Sequence, residues 1–333
     1  MITNTDYQKA IDLINKSNNI LITCHVKPDG DSCGCIIAMM EFLKPLGKKI
    51  TPLLLSSLPN WYKFLFDVQP AELDETITAA QLEQAAFELI IIVDTNSYSQ
   101  LPDFEDFLKA VNIPVLIIDH HITSDGLGQV ELVDRSAAAA GLVVYDFLKY
   151  AKFQITPKIA QALFVAVSTD TGWFQFNNTD SRVHRVCAEL IDMGVHPSEV
   201  YHLLYQNFSL QRIKLMTKMF DNLSLYFHGR YAVQHLMQAD FHETGATLND
   251  TENLIDECRR IRTVEAAALF VEMPDGKIKC SLRSRGTVNV GQIAQKFGGG
   301  GHKMASGVTM EIPVAEALRA IKAEVEKQLT SAK

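Results

Sequence analysis

FELIIIVDT, at residues 87–95, is an apolar run that stops at an aspartate, and IPVLIIDHH, at residues 113–121, repeats the pattern with an aspartate and two histidines. Continuous apolar runs of this length are typical of strands that are buried on both faces of a parallel sheet. NILITCH, at residues 19–25, has the same character and ends at a histidine. Helical segments lie between these runs, so the sequence predicts an alternating α/β domain with a parallel sheet through about residue 185.

The remaining elements divide the chain into two parts. The sequence predicts a first domain at 1–190, a helical linker at 191–220 and a smaller α/β domain at 221–333. In the first domain, further elements are expected as helices at 5–17, 32–43, 137–150 and 157–172, and as a strand at 48–56 in which Pro52 favours an edge position. In the rest, they are a helical stretch at 196–223, hairpins that turn at Gly229 and at Asp275-Gly276, and a short helix near 289–297 before GGGGH at 298–302.

Composition limits the class of protein. A chain of 333 residues usually forms more than one domain, and a net charge of −8 disfavours a large, unspecific nucleic-acid surface. The sequence has no run of 18 apolar residues, and its start lacks the basic and then apolar order of a signal peptide. The six cysteines are scattered, which favours free thiols in a reducing, cytoplasmic setting.

Acidic and imidazole side chains occur in four places where an apolar run stops. Three of these places follow predicted strands and the fourth follows a predicted helix; they hold His25 with Asp29 and Asp31, then Asp94, then Asp119-His120-His121, and finally Asp170. Ligands of open α/β sheets bind outside the carboxyl ends of the strands, so we expect these residues to share one pocket.

The donor types of this set indicate metal ions. Carboxylates with imidazoles suit Mn²⁺, Mg²⁺, Co²⁺ or Fe²⁺ better than a structural zinc, which prefers thiolates. The candidates exceed the ligands of one ion, and paired ions are the usual device for phosphoryl hydrolysis. The alternative for each aspartate is a turn or a helix cap, with Asp31 or Ser32 as the N-cap of the helix at 32–43.

The set resembles the motifs of a known family. HVKPDGDSCGC (25–35), IIVDT (91–95), DHH (119–121) and VSTDTGWF (167–174) are similar, in order and spacing, to the four motifs of the DHH phosphoesterases. IKCSLRSRGTVNVGQIAQKFGGGGHKMASG (278–307) resembles the DHHA1 domain of that family. The resemblance covers nearly the whole chain.

The resemblance implies roles for the matching residues. His121 is expected to contact the scissile phosphate, while Asp119 orients a ligand histidine. Asp94 is expected to bridge two Mn²⁺ ions, with Co²⁺ or Mg²⁺ as alternatives. The variants Asp31→Ala and Asp94→Ala are each expected to abolish turnover and to leave the fold largely intact. The implied ligands are His25, Asp29 and Asp94 for one ion, and Asp31, Asp94, His120 and Asp170 for the other.

The second domain is expected to choose the substrate. Consecutive glycines leave backbone N–H groups free to cradle an anion, especially just before a helix, and an arginine can bind a phosphate with two hydrogen bonds. The alternative is a flexible glycine turn, and Arg262 is a weaker candidate. By resemblance, the residues that bind the terminal nucleotide or its phosphate are Arg283, Ser284, Gly299, Gly300, Gly301 and His302.

Two positions depart from the family pattern. Cys35 ends the first motif where the family usually has serine, and a small effect is expected. SAAAAGLVV, at 136–144, lies where family members often carry Ser-Thr and Glu, so any polar contact of those side chains is missing.

The compact two-domain form resembles the nanoRNase type of this family. That type implies a cytoplasmic oligoribonuclease that hydrolyses linear dinucleotides such as pApA or pGpG, and 3'-phosphoadenosine 5'-phosphate, by hydroxide attack at a two-metal site. Its partners would be short RNA and small nucleotides, with neither long nucleic acid nor a membrane, and a homodimer is left open. The alternatives are a single-strand-specific exonuclease, a cyclic-dinucleotide phosphodiesterase, a phosphatase acting mainly on the small nucleotide, and a non-catalytic nucleotide-sensing protein.

Overall fold

A computed structural model describes residues 2–331, without the side chain of Ser331. The chain divides into two compact units, Met1–Asn207 and Phe208–Lys333. This division places one boundary inside the predicted 191–220 linker, and the three-part division with a separate linker stays a prediction. Among the described residues, no helix is long and apolar enough to cross a membrane.

The first unit contains the predicted parallel sheet. Its strand order is β3-β2-β1-β4-β5-β6, and every pairing between neighbours is parallel. The Pro52 prediction was wrong in part: its strand is second from the edge, although the outermost strand is so short that it pairs only beyond Pro52, at Leu53 and Leu54. The strands are β1 (Asn19–Cys24), β2 (Lys49–Leu54), β3 (Ala71–Glu72), β4 (Leu89–Val93), β5 (Val115–Asp119) and β6 (Val130–Val133).

Helices pack on both faces of this sheet, as continuous apolar strands require. The helices of the unit are α1 (Asn4–Lys16), α2 (Gly30–Leu43), α3 (Ala79–Gln84), α4 (Glu105–Ala110), α5 (Ala140–Tyr150), α6 (Pro157–Asp170), α7 (Ser181–Asp192) and α8 (Pro197–Tyr205). The four predicted helices are confirmed as α1, α2, α5 and α6.

Helix α2 differs from the prediction at its start. It begins at Gly30, and its N-cap is Asp29, whose carboxylate accepts a hydrogen bond from the Ser32 N–H at 3.0 Å. The alternative in which Asp31 or Ser32 is the N-cap is therefore wrong. Gly34 of this helix faces α6, where a Cβ would lie 2.3 Å from the Ala162 carbonyl oxygen.

The second unit is built on a mixed sheet with the order β11-β12-β10-β9-β8-β7. Both predicted hairpins are confirmed, because β7–β8 and β9–β10 are antiparallel pairs. The predicted helical stretch at 196–223 is two helices, α8 and α9. The elements are α9 (Leu210–Asp221), β7 (Ser224–Tyr226), β8 (Tyr231–Leu236), α10 (Gln238–Thr244), β9 (Ala266–Glu272), β10 (Ile278–Ser284), α11 (Val290–Lys296), β11 (Gly300–Gly301), β12 (Ala305–Met310) and α12 (Val314–Ser331).

Candidate metal centre

The carboxyl ends of three neighbouring strands bring the first site residues together. Cys24 pairs with Val93, and Val93 pairs with Ile118, so the residues that follow them, His25, Asp94 and Asp119, lie side by side. This register explains why residues far apart in sequence meet at one edge of the sheet.

Asp94 has a backbone conformation that costs free energy. Its φ is 61°, in the left-handed region that only aspartate, asparagine and glycine adopt readily, and its side chain is buried. Its N–H still bonds to the Ile118 carbonyl oxygen at 2.9 Å, so the turn begins directly after the sheet pairing ends. Such conformations gather at functional sites, where the surrounding structure holds them in place.

Asp94 lies between two groups of candidate ligands. Its Oδ2 is 3.3 Å from His25 Nε2, and its Oδ1 is 3.5 Å from His120 Nε2. Asp94 Oδ1 is also a buried oxygen without a hydrogen-bond partner in the described part of the chain. The two oxygens therefore point to different histidines, which is the arrangement that a bridging ligand requires.

The remaining candidates complete these two groups. His25 Nε2 is 3.7 Å from Asp29 Oδ1, and the ligand atoms of His25, Asp29 and Asp94 lie within 4.8 Å of one another. The second group holds Asp31, His120 and Asp170 within the same span, with His120 Nε2 at 3.8 Å from Asp31 Oδ2 and 3.7 Å from Asp170 Oδ2. Asp170 is the last residue of α6, and that helix end is what carries its carboxylate to the sheet edge.

The two adjacent histidines have different surroundings. The His120 side chain is 14% exposed, and its Nδ1 lies 3.1 Å from the Ala137 carbonyl oxygen. The His121 side chain is 49% exposed, and its Nδ1 lies 2.8 Å from Asp119 Oδ1. Asp119 was expected to orient a ligand histidine. It orients His121 instead, and a backbone carbonyl orients the predicted ligand His120.

Asp31 has partners that the sequence did not indicate. Its Oδ2 accepts a hydrogen bond from the Ala140 N–H at 2.6 Å, and its Oδ1 accepts one from the Gly141 N–H at 2.8 Å. The N-cap of α5 is Ala139, which has no side-chain oxygen, so Asp31 of α2 caps this helix from outside. Cys35 Sγ, one turn further along α2, lies 3.5 Å from Asp31 Oδ1.

The electrostatics of the cluster favour a bound cation. Burial, together with the Asp94 and Asp170 carboxylates, raises the pKa of Asp31 well above its usual range, and burial raises the pKa of Asp170 to about 7. Burial opposes the charged form of His120, yet the Asp94 carboxylate at 3.5 Å and the other nearby carboxylates raise its pKa to about 10. Each raised pKa favours a bound proton, which reduces the negative charge of the cluster. Together with the unpartnered Asp94 oxygen and a donor set of oxygen and nitrogen atoms, they fit divalent cations.

The predicted substrate residues lie in the second unit. Arg283, at the end of β10, has Nε at 3.7 Å from Asp256 Oδ1 and donates from Nη1 to the Leu282 carbonyl oxygen. Its neighbour Ser284 is buried, and the Ser284 hydroxyl oxygen accepts a hydrogen bond from the Gly286 N–H at 2.9 Å. Arg283 therefore keeps a partly exposed guanidinium, whereas Ser284 closes a turn.

The glycine run differs from the expectation of free N–H groups before a helix. It follows α11 and leads into β12, and the Gly299 N–H bonds to the Ala294 carbonyl oxygen at 2.9 Å. The N–H groups of Gly298 and His302 are bonded as well, to Gln295 and Ala305. Gly300 and Gly301 form β11 against β12, so the run is an ordered, exposed strand rather than a flexible turn.

The cysteines agree with the predicted free thiols. All six are unpaired and buried.

The chain is similar to known proteins along most of its length. Residues 19–167 match the DHH family, N-terminal domain, and residues 228–331 match the DHHA1 domain. A bifunctional oligoribonuclease and PAP phosphatase NrnA from Thermus thermophilus is 31% identical over 320 residues, which cover 94% of this chain and 91% of that protein. The protein of the same name from Bacillus subtilis is 27% identical, with 91% of this chain and 92% of that one covered.

Among solved structures, an exopolyphosphatase-related protein from Bacteroides fragilis has a TM-score of 0.92 to this chain at 21% identity, with 100% of this chain and 98% of that one covered. At that identity the likeness concerns the fold. The two family matches place the DHH domain before the DHHA1 domain, which is the order that the sequence motifs predicted.

Proposed function

Because the chain belongs to the DHH/DHHA1 phosphoesterase family, we propose that it is a metal-dependent hydrolase of very short oligoribonucleotides and of 3'-phosphoadenosine 5'-phosphate. Linear dinucleotides such as pApA and pGpG are the substrates expected first. The relatives named as oligoribonuclease and PAP phosphatase support this choice, since they align with more than nine-tenths of the chain.

The observation that carries the proposal is the position of Asp94 between two ligand groups. We propose two cation sites that share Asp94. One is formed with His25 and Asp29, and the other is formed with Asp31, His120 and Asp170. Two divalent cations, proposed to be Mn²⁺, would activate water and neutralise negative charge at phosphorus. The protein holds their ligands on strand ends and helix ends, which limits the movement of each donor.

His121 is proposed to bind the scissile phosphate. Its hydrogen bond to the buried Asp119 carboxylate raises its pKa, so the imidazole tends to carry a proton and a positive charge. The bond to Asp119 occupies Nδ1 and leaves Nε2 as the second donor. With half of its side chain exposed, His121 can donate from Nε2 to a phosphate oxygen and hold the group while it reacts.

The second unit is proposed to determine which substrate lengths bind. Arg283, Gly299–Gly301 and His302 are offered as the contacts of the terminal nucleotide or its phosphate, with Arg283 as the charged member. The net charge of −8 is consistent with short substrates, because long strands favour an extended basic channel. A cytoplasmic location belongs to the same proposal.

A hydrolysis panel with added Mn²⁺ tests the function. It contains pApA, pGpG, a five-unit RNA, a long single-stranded DNA, 3'-phosphoadenosine 5'-phosphate, cyclic di-AMP and pyrophosphate. We expect the dinucleotides, the pentamer and the small nucleotide to be cleaved. Preference for the long strand or the cyclic dinucleotide would keep the metal centre and replace the substrate class.

The control variant is Asp94→Asn. Asparagine tolerates the left-handed backbone at this position, so the fold is kept while the shared charge is lost. Hydrolysis should fall by several orders of magnitude. Full activity of the variant would contradict the assignment of the metal centre, and an inactive wild-type protein would favour a nucleotide-sensing role.

A further inference from the structure

The segment that follows Asp170 has an unusual backbone. Gly172, Trp173 and Phe174 are three consecutive residues with positive φ, at 57°, 55° and 66°. Glycine adopts this region freely, but bulky aromatic residues do so at a cost in free energy. Strain of this kind persists where the surrounding structure enforces it, and it gathers at functional sites.

This backbone places the ring of Phe176 against Gly172. A Cβ on Gly172 would lie 2.4 Å from Phe176 Cζ, so the ring fills the space that a side chain would take. The Phe176 N–H bonds to the Thr171 carbonyl oxygen at 3.0 Å, and its own carbonyl oxygen accepts from the Thr179 N–H at 3.1 Å. The ring is therefore supported on one side, yet Phe176 is 56% exposed.

The same segment is tied to the metal centre. Asn178 Nδ2 lies 3.1 Å from the carbonyl oxygen of Asp170 and 3.1 Å from that of Ala138. Ala138 lies beside the start of α5, the helix that Asp31 caps. The loop that carries Phe176 is thus tied to the backbone at Asp170, a candidate ligand, and at Ala138, close to the helix that Asp31 caps.

A single exposed apolar side chain is ordinary on a protein surface. Phe176 differs because a strained turn holds it, a glycine makes room for it, and an asparagine fastens its loop next to a candidate metal ligand. An exposed aromatic face that is supported on one side, on a loop tied to a candidate metal ligand, suits one kind of group in particular. Nucleobases stack on such faces, and any of the four bases can do so because each has a π-face.

We propose that Phe176 is the stacking platform for one nucleobase of the substrate, namely a base adjoining the phosphate held at the metal centre. The inference rests on the proposed function. It adds that the first unit, and not only the second, recognises the nucleoside, and that this recognition is largely independent of base identity.

The test compares Phe176→Ala with Phe176→Tyr and with Phe220→Ala. Phe220 is the matched control, an exposed phenylalanine on α9 that is 41% exposed. The substrates are pApA and two pApA analogues that each lack one base. Loss of a base–aromatic stack typically costs a binding factor of about 5 to 140, so the KM of Phe176→Ala for pApA should rise within that range. Its kcat should stay within about threefold.

Four further results are expected. Phe176→Tyr should keep the wild-type KM, and Phe220→Ala should too. One of the two base-deficient analogues should have the same KM with wild type and with Phe176→Ala. Binding of a 2-aminopurine dinucleotide before turnover should quench the fluorescence of that base in wild type and much less in Phe176→Ala, which a purely structural role of the ring would not produce.

The outcomes separate the two proposals. A wild-type protein that cleaves no dinucleotide overturns the proposed function. A wild-type protein that cleaves pApA, together with a Phe176→Ala KM no higher than that of Phe220→Ala, overturns only the stacking inference. A Phe176→Ala variant that melts several degrees lower, with unchanged quenching, identifies the ring as a support of the turn and overturns the inference as well.

Discussion

Asp31→Ala should destabilise the metal-free protein as well as remove a ligand. The Asp31 carboxylate accepts hydrogen bonds from the Ala140 and Gly141 N–H groups, at 2.6 and 2.8 Å, and so caps α5. Alanine would leave both donors unpaired in a buried place, at roughly 1–3 kcal/mol each. Burial, together with crowding by Asp94 and Asp170, raises the pKa of Asp31, and removal of this carboxyl group offsets part of the cost.

The expected net loss is about 2 kcal/mol, within the range for loss of a helix cap. For a unit of about this size, each kcal/mol lowers the melting temperature by roughly 2–4 °C, so a fall of about 4–8 °C is expected. Sequence reasoning alone expects the fold to stay largely intact. The difference arises from two backbone contacts that the sequence did not reveal.

Asp170→Ala is the matched comparison. Its carboxylate contacts His120 at 3.7 Å and, in the part of the chain that the structure describes, accepts no backbone hydrogen bond. Burial raises the pKa of Asp170 from 3.8 to about 7. As the pH rises from the unfolded pKa to the folded pKa, ionisation of this carboxyl group lowers the stability of the protein, and the full loss is present above pH 7. At pH 8, Asp170→Ala should therefore be at least as stable as the wild type.

The assay is urea unfolding at pH 8 with a chelator, followed by circular dichroism, for the wild type and both variants. An unchanged midpoint in Asp31→Ala would refute the capping argument. Equal losses in the two variants would refute it too, since they would reflect a general role of carboxylates in the cluster rather than two particular hydrogen bonds.

Three other predictions have definite expected outcomes. Gly299→Ala should lower the melting temperature, because its Cβ would lie 2.3 Å from the Gly307 carbonyl oxygen. Gly300→Ala should not, because no atom of the described residues lies within 4 Å of the Cβ position; thermal unfolding of both variants checks this. Addition of Mn²⁺ after chelation should raise the melting temperature and restore hydrolysis, since a ligand that binds only the folded state stabilises it; no shift at saturating Mn²⁺ would contradict the metal centre. Cys35→Ser should keep both stability and activity, because a hydroxyl can donate to Asp31 as the thiol does, while Cys35→Ala should weaken metal affinity measured by calorimetry.

The sequence predicted the sheet and the clustering of site residues for the same physical reason. Apolar runs long enough for buried strands mark their own ends, and parallel strands end at one edge. His25, Asp94 and Asp119 could therefore be placed together before any geometry was available. The roles implied by the family resemblance, including the bridging role of Asp94, came from matched motifs rather than from the pattern.

Other features were missed, some of them despite a signal. Strand β12 alternates buried and exposed residues along ASGVTM, and α12 has apolar residues at helical spacing, so both could have been found from periodicity. The four-residue strand β6 is too short for periodicity to show. The start of α2 differs from the prediction because glycine and aspartate are typical of loops, whereas here Asp29 forms a cap with Ser32 and the helix begins at Gly30.

The alanine-rich stretch at 136–141 gains a meaning that only the structure gives. Its lack of polar side chains was expected to remove a contact near the site. At Gly141, however, a Cβ would lie 2.6 Å from Ala166 Cβ and 3.3 Å from Asp31 Oδ1, so there is no room for a side chain where α5 meets α6 and α2. Small residues let the backbone of α5 come close enough to donate directly to Asp31. Main-chain N–H groups make the polar contact with Asp31 at this place, and this contact links the position of a candidate metal ligand to the packing of three helices.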